Sequence, residues 1–209
     1  MFRELLSATS ALALVVGLSG HAWACSPGGT ITGPGAFGAF TNSGTLDCVT
    51  ITNNATVSGG VSNGSTGVIG SPGSPQPGSL SINSSTINGS VQNSGHIFAS
   101  GGTPAGINVT GGSVITNGII NNSTGTIGVS NTTGNSIGIN VSQSSFSGGI
   151  TNNGVISVTN SSGGAVGISV GGSGGVGPAP IKPSSVTTPT TTATTGSVTT
   201  FSGRGKHHP

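Results

Sequence analysis

Four segments of this chain share one pattern: Thr56-Val57-Ser58-Gly59-Gly60-Val61-Ser62-Asn63, Thr86-Ile87-Asn88-Gly89-Ser90-Val91-Gln92-Asn93, Val114-Ile115-Thr116-Asn117-Gly118-Ile119-Ile120-Asn121 and Ser145-Phe146-Ser147-Gly148-Gly149-Ile150-Thr151-Asn152. In each, an apolar residue is followed four positions later by Val or Ile, and two later by Asn. Val61, Val91, Ile119 and Ile150 therefore recur about every thirty residues, an interval within the range of solenoid repeats. A chain that returns to one pattern at a fixed interval stacks each unit on the last. Each coil then needs only a few inward side chains, because its neighbours cover them. The candidate core is Val57, Val61, Ile87, Val91, Ile115, Ile119, Phe146 and Ile150.

Each segment continues into further short elements. Gly95-His96-Ile97, Gly125-Thr126-Ile127-Gly128-Val129 and Gly154-Val155-Ile156-Ser157-Val158 follow the Asn turn. Gly106-Ile107-Asn108-Val109, Gly138-Ile139-Asn140-Val141 and Gly167-Ile168-Ser169-Val170 come later. Ile-x-Val alternation has period two and predicts strands with one buried face. Gly and Asn between them suit left-handed turn positions. Three short strands per repeat predict an all-β, right-handed parallel β-helix of about thirty-residue repeats. Asn at matched turns, such as Asn93, Asn121 and Asn152, can form side-chain ladders between coils.

Composition decides between this fold and a disordered linker. Hydrophobic residues make up 31% and charged residues 3% of the chain, yet the formal net charge is only +2. Disorder usually combines low hydrophobicity with high net charge. A linker also gives no reason for Val and Ile to keep their spacing. From Val49 to Ile181 there is no Asp, Glu, Lys or Arg, and His96 is the only side chain there that titrates near neutral pH. General acid–base and electrostatic catalysis need positioned acids, bases or cations. Metal sites need clusters of Cys, His or carboxylates, and nucleic-acid binding needs basic patches. The body is expected to be non-catalytic, to hold no cofactor or metal and to bind no nucleic acid.

The ends read differently. Met1-Phe2-Arg3 and the apolar run to Leu18, followed by Ala22-Trp23-Ala24, read as a signal peptide over 1–24, with cleavage between Ala24 and Cys25. No later segment is apolar enough to span a bilayer as a helix, so the mature chain is expected to have no transmembrane segment. Cys25 and Cys48 are the only cysteines. In an oxidising compartment they are expected to form a disulfide across an N-terminal cap over 25–48. The β-helix repeats are expected over 49–170, with a loop at Gly70–Ser79. Residues 171–209, rich in Gly, Thr and Pro, read as a flexible tail.

The Ile-x-Gly-x-Ile-x-Asn style and the Gly-Ile-x-Val strands, over about Leu46 to Val170 and with the exported start, resemble the β-helical passenger domains of bacterial autotransporters. That resemblance implies export through the inner membrane of a Gram-negative bacterium, to the periplasm, the cell surface or the medium. It also implies a role in adhesion or self-association, with like surfaces, glycans or surface proteins as partners. Nothing resembling the family's membrane β-barrel follows, so a partial N-terminal fragment of a longer autotransporter is the alternative. A polysaccharide-active β-helix enzyme fits less well, because such enzymes rely on carboxylates that this body lacks. His96 reads as a solvent-facing strand residue beside inward Ile97. Asp47 reads as a turn or cap residue, and Gly59-Gly60, Gly111-Gly112 and Gly148-Gly149 read as turns.

Overall fold

The computed structural model describes residues 28–71, 80–101, 105–131, 134–142, 144–161, 163–171 and 193–194. Among them there is no helix, and the strands recur four to a round. The first round holds β1 (Gly29–Thr32), β2 (Gly35–Phe37), β3 (Phe40–Asn42) and β4 (Thr45–Leu46). The second holds β5 (Val49–Thr52), β6 (Ala55–Ser58), β7 (Val61–Asn63) and β8 (Val68–Ile69). The third holds β9 (Leu80–Asn83), β10 (Thr86–Asn88), β11 (Val91–Asn93) and β12 (His96–Ser100). The fourth holds β13 (Ala105–Thr110), β14 (Val114–Ile115), β15 (Ile119–Asn121) and β16 (Thr126–Asn131). The fifth holds β17 (Ser136–Ser142), β18 (Ser145–Phe146), β19 (Ile150–Asn152) and β20 (Val155–Asn160). β21 (Ala165–Gly171) opens another round, and β22 (Ala193–Thr194) pairs with β20.

Every strand pairs in parallel with its counterpart one round away, which gives four sheets. Sheet A is β1-β5-β9-β13-β17-β21, and sheet B is β2-β6-β10-β14-β18. Sheet C is β3-β7-β11-β15-β19, and sheet D is β4-β8-β12-β16-β20-β22. The protein is a parallel β-solenoid with turns of about 29 residues. The first round is shorter: Ile31 pairs with Ile51 and Phe37 with Val57.

Two expectations need correction. Each round has four strands, not three. Segments such as Thr56–Asn63 look like one element in sequence, but they contain two strands, β6 and β7, on different faces. The bend between them falls at Gly59 and Gly60, with φ of 88° and 90°, a region open to glycine at no steric cost. Residues 25–48 were expected to be a cap, with repeats beginning at 49. Instead β1 to β4 already form a round of the solenoid, so the repeats begin at Gly29. Of the expected loop, only Gly70 and Ser71 are described. The signal segment 1–24 and, apart from Gly171 and β22, the tail lie outside the described residues.

The core is a set of columns. On sheet A, Ile31, Ile51, Ile82, Val109 and Val141 stack inward. On sheet D, Ile69, Ile97, Ile127 and Ile156 do the same. Of the predicted core, Val57, Val61, Ile87, Val91, Ile115 and Ile119 are buried. Ile150 is half-buried against the same cluster. The Phe146 backbone pairs with Ile115. Like side chains stack about 4.8 Å apart, so burial repeats without a large aromatic core.

Candidate functional site

The corner between sheets C and D carries the most organised polar chemistry. Asn42, Asn63, Asn93, Asn121 and Asn152 end β3, β7, β11, β15 and β19 in matched register. All five are buried, Asn93 and Asn121 completely. Each Nδ2 donates to the next Oδ1: Asn42 to Asn63, Asn63 to Asn93 and Asn93 to Asn121 at 2.8 Å, and Asn121 to Asn152 at 2.7 Å. The amides of Asn42, Asn63, Asn93 and Asn121 also donate to backbone carbonyls of the turn that follows or of the sheet D strand one coil on. Asn93 donates to Thr126 O, and Asn121 to Gly125 O and Val155 O, all at 3.3 Å. The amides run in one direction along the ladder and satisfy one another away from water, as buried polar groups must. The ladder foreseen at Asn93, Asn121 and Asn152 is present and extends to Asn42 and Asn63.

The chain after the ladder alternates between two lengths. Two residues follow Asn42, Asn93 and Asn152 before the next strand; four follow Asn63 and Asn121. In the longer turns Thr66 Oγ1 donates to Ser43 O at 2.9 Å and Thr124 Oγ1 to Ser94 O at 2.7 Å. Each long turn is thereby tied to the short turn before it. Gly67, Gly95, Gly125 and Gly154 line this corner, where a Cβ would strike carbonyl or amide groups of the adjoining coil.

The outward surface of the described residues is almost without charge. Among the described residues the only Asp, Glu, Lys, Arg or His side chains are Asp47, in the turn between β4 and β5, and His96. No group of three His, Cys, Asp or Glu residues gathers there. His96 is exposed beside buried Ile97, as its place in the alternation requires. It stacks on Phe98, with ring centroids 5.7 Å apart and planes 6° from parallel. That pairing was not foreseen, although period-two alternation puts residues 96 and 98 on one face. No described cysteine is free, and Cys48 is disulfide-bonded. Ala24 and Cys25, the expected cleavage site and bonding partner, lie outside the described residues.

The sheets differ in what they present. The outward column of sheet C runs Thr41, Ser62, Gln92, Ile120 and Thr151. That of sheet D runs Thr45, Val68, His96, Thr126 and Val155. Apolar or ring residues interrupt both. Sheet A has a column of Thr30, Thr50, Ser81, Asn108, Asn140 and Ser169 with no interruption. Two positions along the same strands stand Thr32, Thr52, Asn83, Thr110, Ser142 and Gly171. Asn140 Nδ2 donates to Asn108 Oδ1 at 2.8 Å and Asn83 Nδ2 to Thr110 Oγ1 at 3.1 Å across this face.

Fold and surface together define the class: an all-β parallel solenoid with a neutral, hydroxyl- and amide-rich exterior. No protein-family model, curated protein or solved structure matches the chain. No helix among the described residues is long and apolar enough to cross a membrane.

Proposed function

We propose that this is an exported, non-catalytic β-solenoid of the autotransporter-passenger type, acting in surface adhesion or self-association. The observation that carries the reading is the repeating exterior of the described residues, almost without charge, together with last strands in three of the four sheets that no further described strand pairs. Among the described residues no strand pairs beyond β21 in sheet A, β18 in sheet B or β19 in sheet C. An uncovered strand edge is a template for another chain. At this end Val170 is 41% exposed, and no described charged side chain lies near it in sequence. Contacts made by such a surface are backbone pairing and many weak hydrogen bonds, strengthened by repetition.

Sedimentation or light scattering in low and high salt tests the reading. Association should change little with salt, because screening acts on charges this body lacks. Ile168→Lys with Val170→Lys should reduce association while the far-ultraviolet circular dichroism stays β. Collapse of association on adding salt would contradict the mechanism. So would association that the edge lysines leave intact, or turnover of a polysaccharide.

A further inference from the structure

We propose that the outward face of sheet A is a lattice-binding surface whose partner is ice, or water ordered in an ice-like net. The proposal is independent of the adhesion reading and rests on register. β1 and β5 each carry Thr-Ile-Thr, with Ile31 and Ile51 inward and the threonines outward. The following four strands keep the arrangement as Ser-Ile-Asn, Asn-Val-Thr, Asn-Val-Ser and Ser-Val-Gly. Two ranks of short polar side chains therefore run along the solenoid, one over all six strands and the other over the first five, ending at Gly171. Within a rank the spacing is the strand separation, about 4.8 Å; between ranks it is two residues of strand, roughly 6.7 Å. These repeats lie close to the oxygen spacings on the prism face of ice. Between the ranks Ile31, Ile51, Ile82, Val109 and Val141 are buried, which leaves a trough in which a row of water can lie; only Val170, in the last strand, is exposed.

Charge and area choose among partners. The face carries no ionisable side chain, so neither an anionic nor a cationic surface is complementary to it. A charged group would also hold its own hydration shell and break an ordered water net. A second copy is disfavoured by size. Six strands by four residues cover roughly 300 Å², against about 800 Å² per partner in a stable protein interface. A glycan platform would gain from an exposed ring, and the His96–Phe98 pair lies on sheet D instead. A rigid, neutral, doubly periodic array suits a partner that is itself a neutral lattice.

Partition of the full chain into a slowly growing ice hemisphere tests this, alongside crystal growth in annealed frozen solution. The wild-type chain should be taken into ice and should slow recrystallisation. Thr50→Tyr with Thr52→Tyr should reduce both to the level of a non-binding control protein. Thr56→Tyr with Thr86→Tyr, on the outward face of sheet B, should retain both. If the tyrosine pair on sheet A loses its β spectrum, Thr52→Lys alone provides the same test. Exclusion of the wild-type chain from ice overturns the proposal, as does equal loss in the sheet A and sheet B variants. Capture on an insoluble neutral polysaccharide that depends on Thr50 and Thr52, without ice uptake, overturns it in favour of a glycan. Self-association failing while ice uptake persists would sink the adhesion reading alone.

Discussion

Asn121→Leu separates a ladder that holds the solenoid together from one that merely accompanies it. The replacement has a similar volume and is apolar, so it leaves no large cavity. Asn121 Oδ1 accepts from Asn93 Nδ2 at 2.8 Å, while its own Nδ2 donates to Asn152 Oδ1 at 2.7 Å and to two carbonyls at 3.3 Å. Leucine replaces none of these. Asn152 Oδ1 loses its partner in the ladder, and Asn93 Nδ2 keeps only its contact to Thr126 O. A buried polar group left without a partner costs about 1–3 kcal/mol. With two neighbours affected and one partly compensated, the net loss is roughly 2–4 kcal/mol. At about 2–4 °C per kcal/mol for a chain of this size, the melting temperature should fall by about 5–15 °C. Asn140→Leu is the control, because its bond to Asn108 is only part-buried; it should cost under about 1 kcal/mol. The assay is urea or thermal unfolding followed by circular dichroism. In a quasi-one-dimensional array a break in the middle can also split the transition into two. Equal costs for the two leucines, or none for Asn121→Leu, would refute the argument.

Other expectations follow from the same geometry. Gly89→Ala places a Cβ 2.6 Å from Gly60 N and 2.8 Å from Gly60 Cα. The coils must separate there, at about 1–3 kcal/mol in chemical denaturation. Gly149→Ala meets nothing within 4 Å but has φ of 69°, so it should cost only about 1–2 kcal/mol of backbone strain; a cost exceeding that of Gly89→Ala would contradict this ranking. Ile119→Asn puts an amide into a fully buried apolar column and should destabilise by a few kcal/mol, about as much as breaking the Asn ladder. Cys25 and Cys48 should be joined by a disulfide; intact mass after alkylation, with and without reduction, would expose two free thiols or an acylated Cys25 if that is wrong.

What could be read in the sequence is what repeats once per coil. Val61, Val91, Ile119 and Ile150 hold one column because an inward face must be apolar in every coil, and that shows without coordinates. The Asn ladder was legible for the same reason, since a buried amide needs an identical partner one coil away. The count of strands was not. Gly59-Gly60 reads as a turn in the sequence and is one, but the three or four residues on either side of it are too few for period-two alternation to mark β6 and β7 as separate strands. The first round escaped notice because it is short and its inward residues include Phe37, Phe40 and Leu46 in place of Val and Ile. The two ranks on sheet A escaped too. Thr, Ser and Asn are common throughout this chain, and only register shows which of them stand side by side.

Hydrogen exchange of the Asn side-chain amides, resolved by nuclear magnetic resonance, tests the central claim most directly. In a ladder-built solenoid the Nδ2 protons of Asn63, Asn93 and Asn121 lie between coils, away from water, with two or more acceptors each. They should exchange only through opening of the stack, far more slowly than the amide of exposed Asn88. Exchange of all these amides at the rate of a free asparagine would contradict the account.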